Sequence, residues 1–343
     1  MKRRVKKVFL FPVCTLLFLM CAAPCPAQDR HYRIEALQVT AIEPFNVCYQ
    51  GFVDELAKQG IIEGKNLTIE RKVIDFDAEK AGLWKKIGVL MRIKGEASRI
   101  ADKKPDLALT IGTPATKYAK DRIIGAGIPV VFASVAIPEA AGCRSLDESG
   151  PGFTGSSLYM DMENAMKILK LAFPTVTTLG TIHSDDENAI AHVQDAARHA
   201  PAFGMKVVSR QVKSKSDKAT PYALELLDEG ADLFFIPLDS YYGLRNYEPS
   251  FELERLAEFN RIPGVSFVLM DFPGACLYMG SDFGINGAMA AGHAAKILKD
   301  GVRPESLPIA HQQDLNVLVD IKAMKKRGVE LPMEILQIAK PVN

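Results

Sequence analysis

The sequence predicts an α/β protein made of two similar halves with a cleft between them. Apolar runs typical of buried strands alternate with amphipathic helices along the chain. A stretch rich in Gly, Ser and Pro, residues 145–152, interrupts this alternation, which then restarts. The length of 343 residues also exceeds one typical domain and fits two.

The first half alternates elements of the kind that build a parallel sheet. The run 107–111 is almost wholly apolar, as in a strand buried on both faces, whereas 67–74 alternates apolar and polar residues. Residues 51–60 place apolar side chains on one helical side and end at a glycine that stops a helix. Thr113 as N-cap and Pro114 behind it are typical of a helix start. The pattern predicts strands at 33–40, 67–74, 107–111 and 130–133, and helices at 51–60, 77–100 and 113–125.

The second half repeats this rhythm. Asp161 is a good helix N-cap, and residues 232–237 form the most strongly apolar strand. Gly and Ala residues between Gly287 and Ala294 lie along one side of a helix, which suits close packing. The pattern predicts strands at 178–183, 206–212, 232–237, 265–268, 276–280 and 314–319, helices at 161–172, 187–200, 223–228, 241–260 and 285–298, and two short helical pieces at the end.

Residues 1–27 have the anatomy of a cleaved secretory signal peptide. Five basic residues lie among the first seven, an apolar run at 8–23 follows, and Cys25 and Ala27 are small residues before a cleavage site. One alternative is a transmembrane anchor, but this run of 16 residues is shorter than the ~20 that span a bilayer. Another is a lipoprotein, although Cys21 lacks the small residue expected before a lipidated cysteine. We therefore expect an exported chain with no stable membrane insertion after cleavage.

Removal of this segment changes the charge of the chain. The whole sequence has 42 Lys and Arg against 41 Asp and Glu, a net charge of +1. Residues 1–27 contain five of the basic residues and none of the acidic ones, so 37 minus 41 gives −4 for the remainder. A chain of this charge is not expected to bind nucleic acid through a broadly basic surface.

Three cysteines remain after cleavage: Cys48, Cys143 and Cys276. An odd number in an oxidising compartment allows at most one internal disulfide and one free thiol. The alternative, which the sequence favours, is three buried and inert thiols, since buried Cys packs like a small apolar residue.

The common enzyme and cofactor motifs are absent from the sequence. It contains no nucleophile elbow, phosphate-binding loop, dinucleotide fingerprint or zinc-protease motif. The six histidines show no metal-ligand spacing, and His192 and His199 are interpreted as surface or satisfied core residues. We therefore expect neither a cofactor nor a metal.

Polar residues follow several predicted strands, at the ends where an open α/β sheet binds ligands. Thr113, Pro114, Ala115 and Thr116 open a helix whose free backbone N–H groups attract a carboxylate or phosphate, although an ordinary helix cap explains the same residues. Ser134 ends the next strand, where it either donates a hydrogen bond to a ligand or occupies a plain turn.

The second half offers an acidic counterpart. The run 183–188 ends in Asn188, and its acids fit helix capping better than a cation site. Asp239 follows the strongest strand and either holds a ligand ammonium, with Tyr241 or Tyr242 stacking on it, or caps a helix. A helix N-terminus on one half and Asp239 on the other would together bind a zwitterion such as an amino acid, which favours closure around it.

Taken in order, these residues resemble the substrate-binding proteins of ABC transporters in the tryptophan/tyrosine-type group. The resemblance extends over roughly residues 33 to 340. The matching segments are Gly51-Phe52, Gly64-Lys65-Asn66, Lys104-Pro105-Asp106-Leu107, Thr113-Pro114-Ala115, Ile128-Pro129-Val130-Val131-Phe132, Thr154-Gly155, Pro237 with Asp239, Ala294-Ala295-Lys296-Ile297-Leu298 and Leu331-Pro332.

The resemblance implies a type I periplasmic-binding fold: α/β, with two Rossmann-like lobes, parallel sheets and an interlobe ligand cleft. The family's cleft residues fall on Thr113 to Ala115, Asn188 and Asp239. Ala189 replaces a usual Ser or Thr, and Leu238 and Ser240 replace the Thr and Asn that usually flank the Asp. The expected lobes are an N-terminal one of residues 28–153 plus about 281–310 and a C-terminal one of residues 154–280 plus about 311–343.

The implied function is capture of a small, amino-acid-like ligand in the periplasm and its delivery to an ABC transporter permease, without enzyme activity. One alternative is a periplasmic sensor that presents its closed form to a signalling receptor, since one fold serves many functions. The other is an enzyme whose cleft acids act in catalysis.

Overall fold

The computed structural model describes residues 30–75, 83–269, 274–313 and 315–342. The predicted signal peptide, residues 1–27, and the first residues of the helix predicted from residue 77 lie outside these ranges.

The strands are β1 Tyr32–Val39, β2 Leu67–Ile74, β3 Leu107–Ile111, β4 Val130–Val135, β5 Phe153–Ser157, β6 Thr178–His183, β7 Lys206–Gln211, β8 Leu233–Ile236, β9 Gly264–Ser266, β10 Leu277–Gly280, β11 Asn316–Val319 and β12 Lys340–Pro341. The helices are α1 Glu43–Lys58, α2 Leu83–Lys103, α3 Thr113–Ile124, α4 Met162–Ala172, α5 Glu187–His199, α6 Ala219–Asp228, α7 Glu248–Asn260, α8 Phe283–Asp300, α9 Ile321–Arg327 and α10 Met333–Ile338. Within the described ranges, none of these helices is both long and apolar enough to cross a membrane.

The strands form two sheets with the same internal order. The first runs β2-β1-β3-β4-β5, and the second runs β7-β6-β8-β9-β10 before adding β11 and β12 at its edge. Numbered within its own half, each sheet therefore has the order 2-1-3-4-5. This confirms the predicted α/β class with two lobes and predominantly parallel sheets.

One pairing departs from the predicted parallel arrangement. β11 runs antiparallel to β10. The chain reaches β11 from α8, which packs against α1 on the first sheet. No crossover helix of the second lobe therefore joins the two strands, and the constraint that makes βαβ strands parallel does not apply.

Helices cover both faces of each sheet. On the first sheet, α1 and α8 share one apolar cluster, and α2 and α3 share the cluster on the opposite face. On the second, α4 and α5 share one cluster, and α6 and α7 share the other. Strands such as β3 and β8 are thus buried on both sides, which explains their continuous apolar sequences.

The predicted strands at 67–74, 107–111 and 178–183 are confirmed at their full lengths. Two helix predictions are less accurate. α1 begins at Glu43 rather than at residue 51. The helix predicted at 241–260 becomes regular only from Glu248, because the three residues before it, 245–247, have positive φ angles of 50°, 52° and 63°.

The chain crosses between the sheets three times. β5 pairs with β4 in the first sheet, so the crossing follows Ser157 and not residue 153 as predicted. The chain returns after β10 to form α8 and crosses again to β11. Ala310 still pairs with Ser156 of β5, so the last crossing begins beyond it.

Close packing of α8 on α1 depends on glycine. A Cβ atom on Gly287 would lie 1.9 Å from the carbonyl oxygen of Cys48, and one on Gly51 would lie 2.2 Å from that of Gly284. The side of small residues predicted on this helix is therefore the side that packs on α1.

The three described cysteines, Cys48, Cys143 and Cys276, are buried free thiols. Burial raises the pKa of Cys48 and of Cys143 to about 12. The thiols are therefore protonated and unreactive at neutral pH.

A buried ion pair joins α7 to α9 in the second lobe. Arg327 donates from Nη2 to Glu254 Oε2 over 2.7 Å, and both side chains are almost wholly inaccessible. Burial raises the pKa of Glu254 to about 7, despite the opposing effect of Arg327. The guanidinium therefore compensates a carboxyl group whose charge is otherwise disfavoured.

Replacement of Arg327 by Met should lower the free energy of unfolding by about 3–5 kcal/mol, because it leaves Glu254 buried and unpaired. Urea unfolding measures the change. Lys326→Met is the matched control, since Lys326 forms a solvent-exposed pair with Glu258 at 3.5 Å and should cost less than about 1 kcal/mol. Equal losses for the two variants would contradict the assigned role of the buried pair.

Candidate ligand-binding cleft

The candidate site lies between the two sheets, where their parallel strands end. In a sheet of order 2-1-3-4-5 the chain leaves the first and third strands in opposite directions, so a crevice opens at their carboxyl ends. Loops that follow β1, β4 and β5 face loops that follow β6, β8 and β9 and enclose two adjoining cavities. We call the one beside Ser134 and Asn188 the polar cavity and the one beside Tyr159 and His192 the far cavity.

The two cavities have mainly apolar walls. They enclose about 510 and 460 Å³ of space, part of which is open solvent. Both are lined by the same five apolar residues: Ala136, Leu158, Leu238, Val268 and Phe283. An apolar ligand body that spans the two cavities would therefore contact these residues, with polar groups near each end.

Ser134 lines the polar cavity, and its hydroxyl oxygen is buried. Its φ of 55° is left-handed, and the register between β4 and β5 shifts around it. The residue is only 3% exposed, and among the described residues its Oγ has no nitrogen or oxygen hydrogen-bond partner, although it interacts with the Cys48 thiol and lowers the pKa of that group. A buried hydroxyl without such a partner and a strained backbone both cost free energy, and both occur at ligand sites. Ser134 is therefore well placed for the ligand contact predicted from the sequence.

Asn286, near the N-terminus of helix α8, holds the left-handed backbone at Ser134 in place. Its side-chain Oδ1 accepts from the backbone N–H of Ser134, and its Nδ2 donates to the carbonyl of Ser157, each over 2.8 Å. Its own carbonyl accepts from the hydroxyl of Ser156 at 2.8 Å. Asn286 is not among the residues predicted from the sequence, although a single Asn among the small apolar residues of this helix is a usable signal.

Asp239 ties together two loops of the second lobe. Its carboxylate accepts from the N–H and hydroxyl of Ser184 at 2.6 and 2.8 Å and from the N–H of Tyr241 at 2.9 Å. Ser184 follows β6 and Asp239 follows β8, so the carboxylate bridges the crevice of this sheet. The helix-cap interpretation of Asp239 is confirmed, and the residue also lines the polar cavity.

The polar cavity carries more acid than base. Asp186 caps α5 and lines the cavity with Asp239. Lys215 lies beside both, its Nζ 3.7 Å from Asp186 Oδ2. Burial is the largest cause of the raised pKa of Asp239. The positive charge of Lys215 lowers this pKa, and the negative charge of Asp186 raises it further. With one cation beside two carboxyl groups, the cavity would favour a ligand that brings positive charge. Across the described ranges, no group of three His, Cys, Asp or Glu residues could hold a metal ion.

Thr113 joins the two lobes instead of capping α3. Gly112, with φ of 91°, occupies the N-cap position, so the predicted Thr113 cap is wrong. The Thr113 hydroxyl donates to Asn188 Oδ1 over 2.9 Å, linking α3 to the start of α5. Asn188 lines the polar cavity, as the resemblance implied.

The predicted helix start does not line these two cavities. Thr113, Pro114, Ala115 and Thr116 are absent from the walls of both. The Thr116 hydroxyl instead bonds within its own lobe, 2.9 Å from the Thr110 hydroxyl and 3.1 Å from the carbonyl of Gly112. The structure thus brings Ser134, Asn188 and Asp239 together but not the whole predicted helix start.

Tyr241 is likewise placed away from the cavities. Its ring is fully buried against Tyr242, with centroids 5.2 Å apart, and its hydroxyl donates to the carbonyl of Asp217 at 2.9 Å. Burial raises its pKa above the ordinary value. In this structure Tyr241 belongs to the lobe core, so stacking on a ligand is not the role that its position supports.

Comparison with known proteins agrees with this architecture. The family model of the ABC transporter substrate binding proteins matches residues 42–343. The chain belongs to that family. This ABC transporter substrate-binding protein is 22% identical over 279 residues to a tyrosine-binding protein from Clostridioides difficile, covering 80% of this chain and 75% of that protein.

Two solved structures share the fold of this substrate-binding protein. A conserved domain protein from Vibrio cholerae superposes with a TM-score of 0.76 at 21% identity, covering 92% of this chain and all of that one. An ABC domain from Streptococcus pneumoniae in complex with L-Trp also gives 0.76, at 19% identity, covering 91% of this chain and all of that one. The expected family and fold are confirmed.

Replacement of Asn286 by Ala in this substrate-binding protein should lower the free energy of unfolding by about 2–6 kcal/mol. The variant leaves the N–H of Ser134 and the carbonyl of Ser157 buried without partners, at about 1–3 kcal/mol each. Asn164→Ala is the control, because exposed Asn164 bonds only its capping residue Asp161, and chemical unfolding compares the two. A loss no larger than that of the control would show that Asn286 does not hold the turn.

Proposed function

We propose that the chain is an exported solute-binding protein that captures a small zwitterionic, amino-acid-like ligand and delivers it to an ABC permease in the periplasm. The ligand lies between a lobe of residues 28–157 plus about 281–310 and a lobe of residues 158–280 plus about 311–343. Family membership supports the binding role without enzyme activity. The tyrosine-binding relative and the L-Trp complex support the amino-acid class.

The observation that carries this proposal is the pairing of unlike groups across the polar cavity. The first lobe contributes Ser134, whose buried hydroxyl has no nitrogen or oxygen partner among the described residues, and the second contributes the carboxyl groups of Asp186 and Asp239 beside the single cation Lys215. A ligand carboxylate accepts from the hydroxyl, and a ligand ammonium lies near the acids. Each charged group thus prefers a different lobe, so the ligand stabilises the closed arrangement.

Mass spectrometry of the purified protein tests this function directly. Ligand retained through non-denaturing purification is released by unfolding and identified, and calorimetry with that compound gives its affinity. We expect an amino acid that is recovered unchanged after prolonged incubation. Recovery of a sugar or nucleotide would contradict the ligand class, and a chemically altered product would favour an enzyme.

Ser134→Gly should lower the affinity for the ligand by about tenfold and leave folding intact. The variant removes the hydroxyl, a loss of about 1–1.5 kcal/mol, while glycine adopts the left-handed φ of 55° without strain. The free energy of unfolding should therefore be unchanged or higher. Ser134→Ala removes the hydroxyl but keeps the strain, and it should weaken the ligand equally. Wild-type affinity in both variants would exclude Ser134 as a ligand contact.

Thr113→Val should reduce ligand affinity severalfold, because it removes a bond between the lobes and so destabilises the closed arrangement that binds the ligand. The hydroxyl bond to Asn188 links the lobes in a partly buried place, and one such bond contributes about 1 kcal/mol. Lys117→Met is the control, because Lys117 pairs with Glu187 on the same two helices in solvent, at 35% and 53% exposure. An exposed pair contributes little, so calorimetry should show less than a twofold change. Equal effects of the two variants would contradict the assigned role of Thr113.

A further inference from the structure

His192 faces the far cavity and has one ring nitrogen unused. Its side chain is buried to 91%, with 9% exposed, and it lies on α5 four residues after Asn188. The backbone N–H of Leu238 donates to His192 Nδ1 over 2.9 Å. The structure gives Nε2 no hydrogen-bond partner among the described residues, and the ring lines the far cavity.

This contact fixes the tautomer of the ring. A nitrogen that accepts from a backbone N–H carries no proton, so the proton of neutral histidine must lie on Nε2. Burial lowers the pKa of His192 to about 4, which keeps the ring neutral at physiological pH. The group offered to the far cavity is therefore a neutral N–H donor.

The surroundings leave this donor available. Asp195, one turn further along α5, directs its carboxylate to Arg198 at 2.8 Å and His199 at 3.5 Å. Tyr159 comes from the first lobe, after β5, and lines the same cavity. No described group bonds its hydroxyl, although its backbone N–H and carbonyl are used. Asp195 and Ser281 also line this cavity, the Ser281 hydroxyl donating to the carbonyl of Tyr159. The remaining neighbours are apolar, among them Met160 and Phe267.

We propose that His192 determines ligand specificity by donating from Nε2 to an oxygen at the far end of an apolar ligand side chain. The inference rests on the proposed amino-acid function, with the charged groups of the ligand in the polar cavity. The shared apolar wall surrounds the body of the side chain, and the Tyr159 hydroxyl meets the same oxygen from the other lobe. A phenolic side chain satisfies both ends, whereas a phenyl side chain leaves the donor unpaired.

The protein should therefore discriminate against ligands that cannot accept the hydrogen bond from His192. A site built to bond a hydroxyl discriminates strongly against the analogue that lacks it, because the buried donor then loses water and gains no partner. L-tyrosine and L-phenylalanine differ by this one oxygen. The wild-type protein should therefore bind L-tyrosine at least about tenfold more tightly than L-phenylalanine.

Two substitutions separate the roles of the ring nitrogens. In His192→Asn the amide oxygen replaces Nδ1 and keeps the bond to Leu238, but no atom replaces Nε2. In His192→Gln the longer side chain places its amide near Nε2 and restores a donor to the cavity. Calorimetry with both amino acids, on the full mature protein freed of retained ligand, measures the tyrosine-to-phenylalanine affinity ratio.

We expect the ratio to fall to within about threefold for His192→Asn, with phenylalanine affinity raised because no unpaired donor remains, and to recover largely for His192→Gln. Tyr159→Phe, which removes the second hydroxyl without touching α5, should lower the ratio in the same direction. Amino-acid binding with an unchanged ratio in His192→Asn, or with no wild-type preference, would overturn this proposal and leave the proposed function standing. No binding of either amino acid by the wild-type protein would overturn both.

Discussion

The side chain of Asn286 is the interaction on which the first-lobe half of the cleft depends. It pairs the backbone of Ser134 at a left-handed turn and the carbonyl at the end of β5. Asn286 reaches them because α8 packs on α1 at glycine-to-backbone distance. Without those glycines a side chain would hold the helices apart, the amide would not reach the strand ends, and two backbone groups would be buried unpaired. The Ser134 hydroxyl is thus placed by a helix that follows it by some 150 residues.

The second lobe solves the same structural problem with a charged group. Its sheet repeats the order of the first, so a crevice again opens where neighbouring strands continue in opposite directions. Asp239 bridges that crevice by accepting from Ser184 and Tyr241. The Asn286 amide in the first lobe and the Asp239 carboxylate in the second each hold two backbone segments together, but the amide is neutral and the carboxylate can carry a negative charge. The first lobe offers a hydroxyl and the second lobe two carboxyl groups, and under the proposed function this asymmetry would orient a dipolar ligand.

Local pattern was enough to predict the α/β class and which strand ends face the cavities. Buried strands carry continuous apolar runs, and ligand loops of an α/β sheet follow such strands, so Ser134 and Asp239 could be proposed from their positions, whereas Asn188 followed from the resemblance. His192 could not, because its role depends on the backbone of Leu238, 46 residues away. The prediction that Tyr241 stacks on a ligand failed for a related reason. Tyr241 lies in a single helical turn, Ser240–Gly243, where tertiary packing decides whether an aromatic ring points to the cavity or to the core.

The three crossings between the lobes connect this geometry to ligand-driven closure. Their segments bond to one another: the Ser281 hydroxyl donates to the carbonyl of Tyr159 over 3.3 Å, and the Gln312 amide bonds the backbone of Asp282 in both directions. Tyr159 and Ser281 also line the far cavity, so the crossing segments form one end of the ligand site. The bond between Thr113 and Asn188 joins the two walls of the polar cavity, which a rotation of the lobes about the crossing segments would separate. Under the proposed function, a ligand that spans both cavities would contact the crossing segments and both walls, and its affinity would include the free energy of closure.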